Sequence, residues 1–567
     1  MTTILGLNNM GHDTSAAIIR DGEIIAAITE ERLNRKKKSN DFPIMSIKKC
    51  LEICNLKFED IDVVTTGWNP VIHLKRLFPK MSNSNRFRPE YLYSVPNFLM
   101  QLHSNNEPSN NTFTELKLLD KNPIDIKYIT HHLAHAASSF YLSGYKKSAI
   151  LSIDGFGEQE TTLYATGENN KIMPLKSILF PYSLGIFYRA FTDYLGFIIN
   201  MDEWKVMGAG SYGDPSVYYD KIRKLVSYDD DGNFEMDLSY FDYYTFDRPA
   251  DYSTKMETLL GKARKKDEPI TQKHYDIAAT VQKVTEEVLI NMLNYLYKVT
   301  KCENLVIAGG VAMNTLAMGK ILKNTPFKNL YISPFPDDNG VNIGSALYYY
   351  HNILDNPAKG QLGSNYFGSE YSDDFIKSEL DKSKLKYKYL EQPEDVAARY
   401  ISDGKIIGWF QGRMEFGQRA LGNRSILADP RDPNMKDKIN KAIKFREEFR
   451  PFASSIIIEH YKDYFVDASP TPFMEKIFDV KEEKRKIIPA VTHIDGTGRI
   501  QTVSKEQNLL YWKLINKFYE LTKVPLVLNT SFNLKGEPIV CTPNDAIRTF
   551  HSCGLDALFI GKFLVEK

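Results

Sequence analysis

At 567 residues the chain is longer than one hydrophobic core organises, since cores stop growing near roughly 250–300 residues, so two or three domains are expected. With 43% apolar, 12% aromatic and 25% charged residues, the composition is that of a globular protein and excludes a disordered or fibrous one. Seventy-two basic against 71 acidic side chains leave a net charge of +1, which excludes a long-range field for nucleic acid or an acidic bilayer.

The N-terminal stretch Met1–Thr14 has no basic region followed by an apolar core, and no uncharged apolar run of about 18 residues occurs. A protein that is neither exported nor membrane-spanning is expected. Ile4–Leu7 reads as a buried strand, Asn8–Ser15 as a polar turn, and Ala16–Arg20 with Glu23–Thr29 as strands around the Asp21-Gly22 hairpin signal. The run Arg35–Lys38 reads as a basic loop, in which Lys37 offers charge to an anionic ligand. Cys50 and Cys54 have no second pair to complete a zinc site, and the five scattered cysteines fit free thiols in a reducing cytoplasm. Phe87–Asn122, with the polar run Ser104–Asn111, reads as a surface excursion.

Strand grammar then returns: Ser148–Ile153 is an apolar strand, Asp154–Glu160 an acidic glycine turn, and Thr161–Thr166 a further strand. A repeated strand, acidic turn, strand unit points to two related halves facing a cleft, the plan of actin-like and sugar-kinase-like folds. Tyr275–Thr300 carries apolar residues at helical spacing and leads to the strand Asn304–Ala308, then Gly309-Gly310 and a second helix. His351–Tyr366 is the linker candidate. Beyond it Lys405–Phe410 reads as a strand, Asn434–Lys444 as a mostly polar helix, and Val524–Leu528 as a buried strand entering the polar turn 529–533.

Chemistry concentrates in two constellations. His131 and His135 are four apart in the helix-compatible stretch HHLAHAASSFYLSG, so two imidazoles share one helical face as a metal ion requires. Asp154 at the end of a buried strand and Asp338 in Asp337–Gly340 extend this pair toward a site for Fe, Mn or Zn, against the plainer reading of capped core histidines. His12 and Asp13 lie in the first acidic turn, where a histidine held by an aspartate can take a proton from a hydroxyl. In the last third, Arg419, Arg424, Lys444, Arg446 and Arg450 recur among glycines, fixed donors of the kind phosphoryl groups need. Glu415, Asp429, Glu447 and Glu448 partly offset them, which favours a confined anion site over a nucleic-acid stripe. Ser531, with Asn529 in the same turn, adds hydroxyl and amide donors, and Met474 is placed to cover an adenine face. No Walker loop is present in the sequence.

Taken in order, GHDTSAA, EERLNR, HHLAHAA, DGFGE, EWKVMG, GGVAMN, EFGQRALGNRSILADPR, KFREEFRPFA, PAVTHIDGTGRIQTV and LNTSFNLKGEPIV span nearly the whole chain. This series resembles the O-carbamoyltransferases of nodulation-factor, cephamycin and aminoglycoside biosynthesis, the NodU/CmcH family. The resemblance implies an α/β protein with a duplicated actin-like (ASKHA, TsaD-like) domain over residues 1–355 and a YrdC-like α/β domain over 360–567. It implies that the second domain makes carbamoyl adenylate from carbamoyl phosphate and ATP with Mg, and that the first transfers the carbamoyl group to a hydroxyl of a small molecule. Carried over by position, His131, His135, Asp154 and Asp338 hold a metal, with iron expected, and His12, Asp13 and Lys37 are catalytic, with His12 the general base. Arg419, Arg424, Lys444, Arg450, Ser531 and Asn529 take the phosphates, with Met474 beside adenine. The family's Gly-Asp-Ala-Gly stands here as Asp337–Gly340, and its Leu-Ala-Tyr-Gly as Ser211-Tyr212-Gly213 after Ala209-Gly210.

Three rivals are weighed. A tRNA threonylcarbamoyladenosine factor pairs the same domain types but acts on nucleic acid, for which the neutral charge is unsuited. A hydrogenase-maturation carbamoyltransferase brings paired CxxC fingers, absent from this sequence. A catalytically dead actin-like binding module conflicts with the intact charged sets. The expected partners are ATP, carbamoyl phosphate and a small-molecule acceptor, with no nucleic acid and no membrane; a homodimer is among the open oligomeric states.

Overall fold

The computed structural model describes all residues except 10, 70–71, 73–124, 246–248, 359 and 448. The excursion Phe87–Asn122 and Glu448 therefore lie outside the described residues. The chain forms two compact units, one of Met1–Ile25 with Asn40–Gln361, the other of Ala26–Ser39 with Leu362–Lys567. The short segment 26–39 thus belongs with the C-terminal residues, where a division at 355–360 grouped it with the first domain.

β1 (Thr3–Asn8), β2 (Ser15–Arg20), β3 (Glu23–Thr29), β4 (Val63–Thr66) and β5 (Ile126–Tyr128) form the first unit's sheet, of order 3-2-1-4-5, with the residues of β3 from Ala26 onward counted in the second unit. β1 runs antiparallel to β2 and parallel to β4, and β4 runs parallel to β5. A second sheet is built from β6 (Lys147–Ile153), β7 (Glu160–Glu168), β8 (Lys171–Leu179), β11 (Asn304–Ala308) and β12 (Asn329–Ile332). The hairpin β9 (Val226–Tyr228) and β10 (Phe234–Met236) stands apart from it. The second sheet has the order 8-7-6-11-12, with β6 antiparallel to β7 and parallel to β11, and β11 parallel to β12. Order and sense repeat those of the first, so the repeated sequence grammar is a repeated sheet. Ile4, Leu5 and Leu7 have no exposed surface, as strands covered on both faces require.

Two helices bring the histidine and aspartate motifs of this unit toward β1. The helix His131–Phe140 meets the helix Val341–Leu347 so closely that a Cβ at Gly344 would stand 1.8 Å from the Ala134 carbonyl oxygen. A Cβ at Gly6 on β1 would stand 2.0 Å from the Asn342 carbonyl oxygen. Glycine at these two positions lets backbone rest on backbone, which draws the start of one helix, at Asp338, toward the face of the other.

The second unit is a nine-stranded mixed sheet. Its strands are β13 (Tyr387–Tyr389), β14 (Ile407–Phe410), β15 (Arg424–Ala428), β16 (Ala453–Ile457), β17 (Ile477–Asp479), β18 (Thr497–Val503), β19 (Leu526–Ser531), β20 (Ala557–Ile560) and β21 (Phe563–Glu566). They lie in the order 13-21-20-14-15-19-16-18-17 around a core that includes Trp409, Leu427, Leu528 and Phe559. Two readings of this region change. β19 continues through Ser531 where a turn is expected at 529, because Leu427 and Ser425 of β15 pair with Asn529 and Ser531 and extend the ladder. The helix expected over 434–444 is α-helical only at Met435–Ile439 and widens to a π turn at Asn440–Lys444. Among the described residues no helix is long and apolar enough to cross a membrane.

Candidate metal centre and cationic site

His131 and His135 project from one face of their helix, Asp154 leaves the end of β6, and Asp338 opens the short turn before the helix Val341–Leu347. One ligand atom from each lies within 4.8 Å of the others. The two histidine Nε2 atoms are 3.0 Å apart, and Asp154 Oδ2 lies 3.3 and 3.0 Å from them. Asp338 Oδ1 lies 3.5 and 3.4 Å from the same nitrogens. Two imidazole lone pairs do not approach to 3.0 Å without positive charge between them, a proton or a metal ion. As protons alone, the charge is held at His131: burial pushes its pKa down, but Asp154 and Asp338 outweigh burial and hold it well above the ordinary histidine value. Burial drives Asp338 up, and the two histidines reverse that and hold it well below the usual carboxylate range.

The residues fit a divalent cation. The Gly67 carbonyl accepts a hydrogen bond from His131 Nδ1–H at 3.3 Å, which turns the Nε2 lone pair toward the cluster. Gly155 donates its N–H to Asp154 Oδ1 at 2.7 Å, leaving Oδ2 on the ligand side. Two neutral imidazoles and two carboxylates would neutralise a 2+ ion. His132, the third histidine of the motif, contacts Ser152 Oγ at 2.9 Å and the Glu160 carbonyl at 3.0 Å instead. His12 stands beside the cluster with its Nδ1 3.0 Å from Asp13 Oδ2 and 3.8 Å from Asp338 Oδ2. Asp13 is 4% exposed at φ +61°, a turn closed by Asn8 Nδ2 donating to the carbonyls of His12 and Asp13. A proton held on Nδ1 by Asp13 leaves Nε2 as the basic end of the ring.

The second unit gathers cations. Lys444, at the end of the π turn, is 4% exposed and donates to Ser531 Oγ at 3.3 Å, Asn533 O at 3.0 Å and Asn533 Oδ1 at 2.8 Å, with the Ser531 carbonyl at 2.5 Å. All are neutral oxygens. Burial first, then Arg446, Arg450 and Lys37, hold its pKa well below the ordinary lysine value. Arg499 on β18 is likewise held well down by burial and by Arg419, Arg446 and Arg450. Buried nitrogens Arg446 Nη2 and Arg499 Nε have no hydrogen-bond partner. So Arg419, Lys444, Arg450 and Ser531 come together as expected, joined by Arg446 and by Arg499. Sequence reasoning missed Arg499; its signal was the one charged residue in an otherwise uncharged strand, TGRIQTV.

Lys37, grouped in the sequence with His12 and Asp13, belongs to the segment of the second unit and presses on Lys444. Its segment is fixed by Arg35, which donates to the carbonyls of Ile539 at 2.7 Å and Pro538 at 2.8 Å, and by Arg32, which donates to the Gly417 carbonyl at 3.3 Å.

Three expected ligand residues are engaged elsewhere. Arg424 has no exposed surface and gives four hydrogen bonds to the carbonyls of Gln411, Asn423, Ser369 and Gly412, with Phe410 beneath its guanidinium at 3.7 Å. It closes the fold and has no face for phosphate. Arg424→Met is expected to cost roughly 3–5 kcal/mol, read from the urea midpoint, because four buried carbonyls lose their donor. Met474 is 3% exposed in a small apolar cluster with Leu421, Ala453 and Phe473. Asn529 Nδ2 donates to Ala420 O, Ser455 Oγ and Gln501 Oε1, so it braces the sheet behind Ser531.

His493, also unnoticed in the sequence, donates from Nε2 to the Phe452 carbonyl at 3.3 Å and meets Thr497 Oγ1 at 3.1 Å. Burial lowers its pKa from 6.5 to about 4. Between those values the unfolded chain binds a proton that the folded chain refuses, so stability falls as pH drops from about 6.5 to 4, by up to about 3 kcal/mol. Urea titrations across this range should show that slope, and His493→Gln should flatten it.

The mixed α/β chain thus carries a four-residue cluster that fits a cation in one unit and a cluster of cations that fits an anion in the other. Residues 3–347 match the family described as Carbamoyltransferase N-terminus, and 398–567 that described as Carbamoyltransferase C-terminus. The protein sll1178 of Synechocystis sp. is 37% identical over 602 residues, covering 100% of this chain and 97% of its own. Nodulation protein NolNO of Sinorhizobium fredii is 37% identical over 570 residues, 99% of this chain and 80% of its own, and nodulation protein NolO of Bradyrhizobium diazoefficiens is 38% identical over 448 residues, 77% and 79%. The chain belongs to the carbamoyltransferase family and is a carbamoyltransferase.

Proposed function

We propose that this carbamoyltransferase is ATP-dependent and acts in two half-reactions, with carbamoyl adenylate as the intermediate and a hydroxyl of a small molecule as the acceptor. The observation that carries the reading is Lys444: a buried ammonium facing only neutral oxygens, with Arg446 and Arg450 lowering its pKa, calls for a multiply charged anion. Lys444, Arg446, Arg450, Arg499, Arg419 and Lys37 hold the phosphates of carbamoyl phosphate and ATP, and Ser531 adds its hydroxyl. In the balance, carbamoyl phosphate and one water give carbamate and phosphate, and the carbamate oxygen displaces pyrophosphate from the α-phosphorus of ATP, which is bound with Mg.

The repeated 3-2-1-4-5 sheet supports an actin-like first unit, and the basic mixed sheet is read as YrdC-like. In the first unit Asp13 orients His12, whose Nε2 takes the proton of the acceptor hydroxyl as the oxygen attacks the carbamoyl carbon and AMP leaves. A cation held by His131, His135, Asp154 and Asp338, with iron favoured over manganese or zinc, supplies Lewis-acid polarisation of a carbamoyl or phosphate oxygen. The test is to incubate the purified protein with ATP, Mg and carbamoyl phosphate and follow carbamoyl adenylate by mass spectrometry. The reading requires the adenylate together with equal pyrophosphate and phosphate; untouched ATP sinks it.

A further inference from the structure

Glu158 lies in the turn between β6 and β7, four residues after Asp154, and is 4% exposed. Its Oε1 accepts the Asn69 backbone N–H at 2.7 Å, and both its oxygens accept that of His131, at 3.1 and 3.2 Å. Among the described residues no lysine or arginine pairs with it, and its side-chain oxygens are met by these backbone N–H donors, with the His131 ring nearby. Those two amides belong to different pieces of the metal centre. His131 opens the helix that carries both imidazoles, and Thr130 at the N-cap makes no side-chain capping bond. The first N–H of that helix is satisfied instead by a carboxylate 27 residues away. Asn69 follows Gly67, whose carbonyl fixes the His131 tautomer. Gly157 rests on the same residue, since a Cβ there would stand 3.0 Å from His131 Cβ.

Resting on the metal reading of His131, His135, Asp154 and Asp338, we infer that Glu158 is a positioning residue of that centre. Its carboxylate ties the Asp154 turn, the histidine helix and the Gly67–Asn69 segment into one ligand set. It touches no reacting atom; it sets the distance between His131 Nε2 and Asp154 Oδ2, now 3.3 Å, and the ring orientation.

The test titrates metal-free full-length wild type, E158A, E158Q and E158D with Co²⁺, followed by visible d–d absorption, with thermal unfolding and carbamoyl adenylate formation in parallel. E158A is expected to bind Co²⁺ about 10–100-fold more weakly with an altered band envelope, the usual cost of losing a residue that orients ligands. E158Q keeps an acceptor oxygen and should recover most of that affinity. E158D keeps the charge but is one methylene shorter, and should shift the bands while remaining folded, so it reads the same effect if E158A does not fold. Adenylate formation in the second unit should match wild type throughout. Wild-type Co²⁺ affinity and bands in E158A, or in E158D should E158A fail to fold, overturn the inference. A wild-type protein with no Co²⁺ bands at all overturns the metal reading itself and the inference with it.

Discussion

Lys444→Ala should reduce carbamoyl adenylate formation by about 10³-fold or more, while His12→Ala leaves that half-reaction within about threefold of wild type. Lys444 is the most enclosed cation of the second unit's site, and the oxygens around it, from Ser531 and Asn533, are neutral. Its removal takes away one fixed donor and orphans those acceptors, so Lys444→Met and a urea midpoint separate lost chemistry from lost folding. The same environment gives a signed pH effect. Burial and the neighbouring arginines hold the Lys444 pKa well below the ordinary value, and a bound phosphate raises it again. Affinity for carbamoyl phosphate is therefore expected to weaken as pH rises through the pKa of the free enzyme, with proton uptake on binding confined to that range. Calorimetry in buffers of different ionisation enthalpy reads the uptake directly. Normal adenylate formation by Lys444→Ala moves the phosphate site elsewhere.

Asp154→Ala should show the converse pattern: bound metal falls to near zero per chain, acceptor carbamoylation drops by about 10³-fold or more, and adenylate still forms. Asp154 Oδ2 lies 3.0 and 3.3 Å from the two imidazoles, and Asp338, the other carboxylate of the cluster found among the described residues, is already in the set. Metal analysis of the purified variant, with product formation from separately prepared adenylate, checks both halves. A variant that keeps its metal and its transfer rate leaves Asp154 with a structural role only.

Much of this was legible from spacing. His131 and His135 four apart on a helix, and Asp154 at the end of an apolar run, reach their places because helix pitch and strand ends are local properties. Asp338 joins them only through backbone contacts made by glycines at 6 and 344, which no local pattern announces. In the second unit, charge density marked the tract around Lys444 but not which arginines face inward. Arg424 and Arg419 sit five residues apart in one motif, yet the first feeds four carbonyls and the second belongs with the cations at Arg499. That difference is fixed by tertiary hydrogen bonds, as is the burial of Met474 in its apolar cluster. Glu158 escaped notice because its partners, Asn69 and His131, are distant in sequence and are backbone groups without a side-chain signature.

The segment Ala26–Ser39 has a consequence for how the chain is made. It belongs to a unit whose remaining residues begin at Leu362, so during synthesis it emerges long before the sheet that receives it. Until Pro538 and Ile539 follow, Arg35 has no carbonyls of its final setting to bind, and Lys37 no place beside Lys444. The second unit's cationic site is therefore completed by two stretches far apart in the sequence, and residues 362–567 cut out as a fragment lack one of its cations and the strap that anchors it.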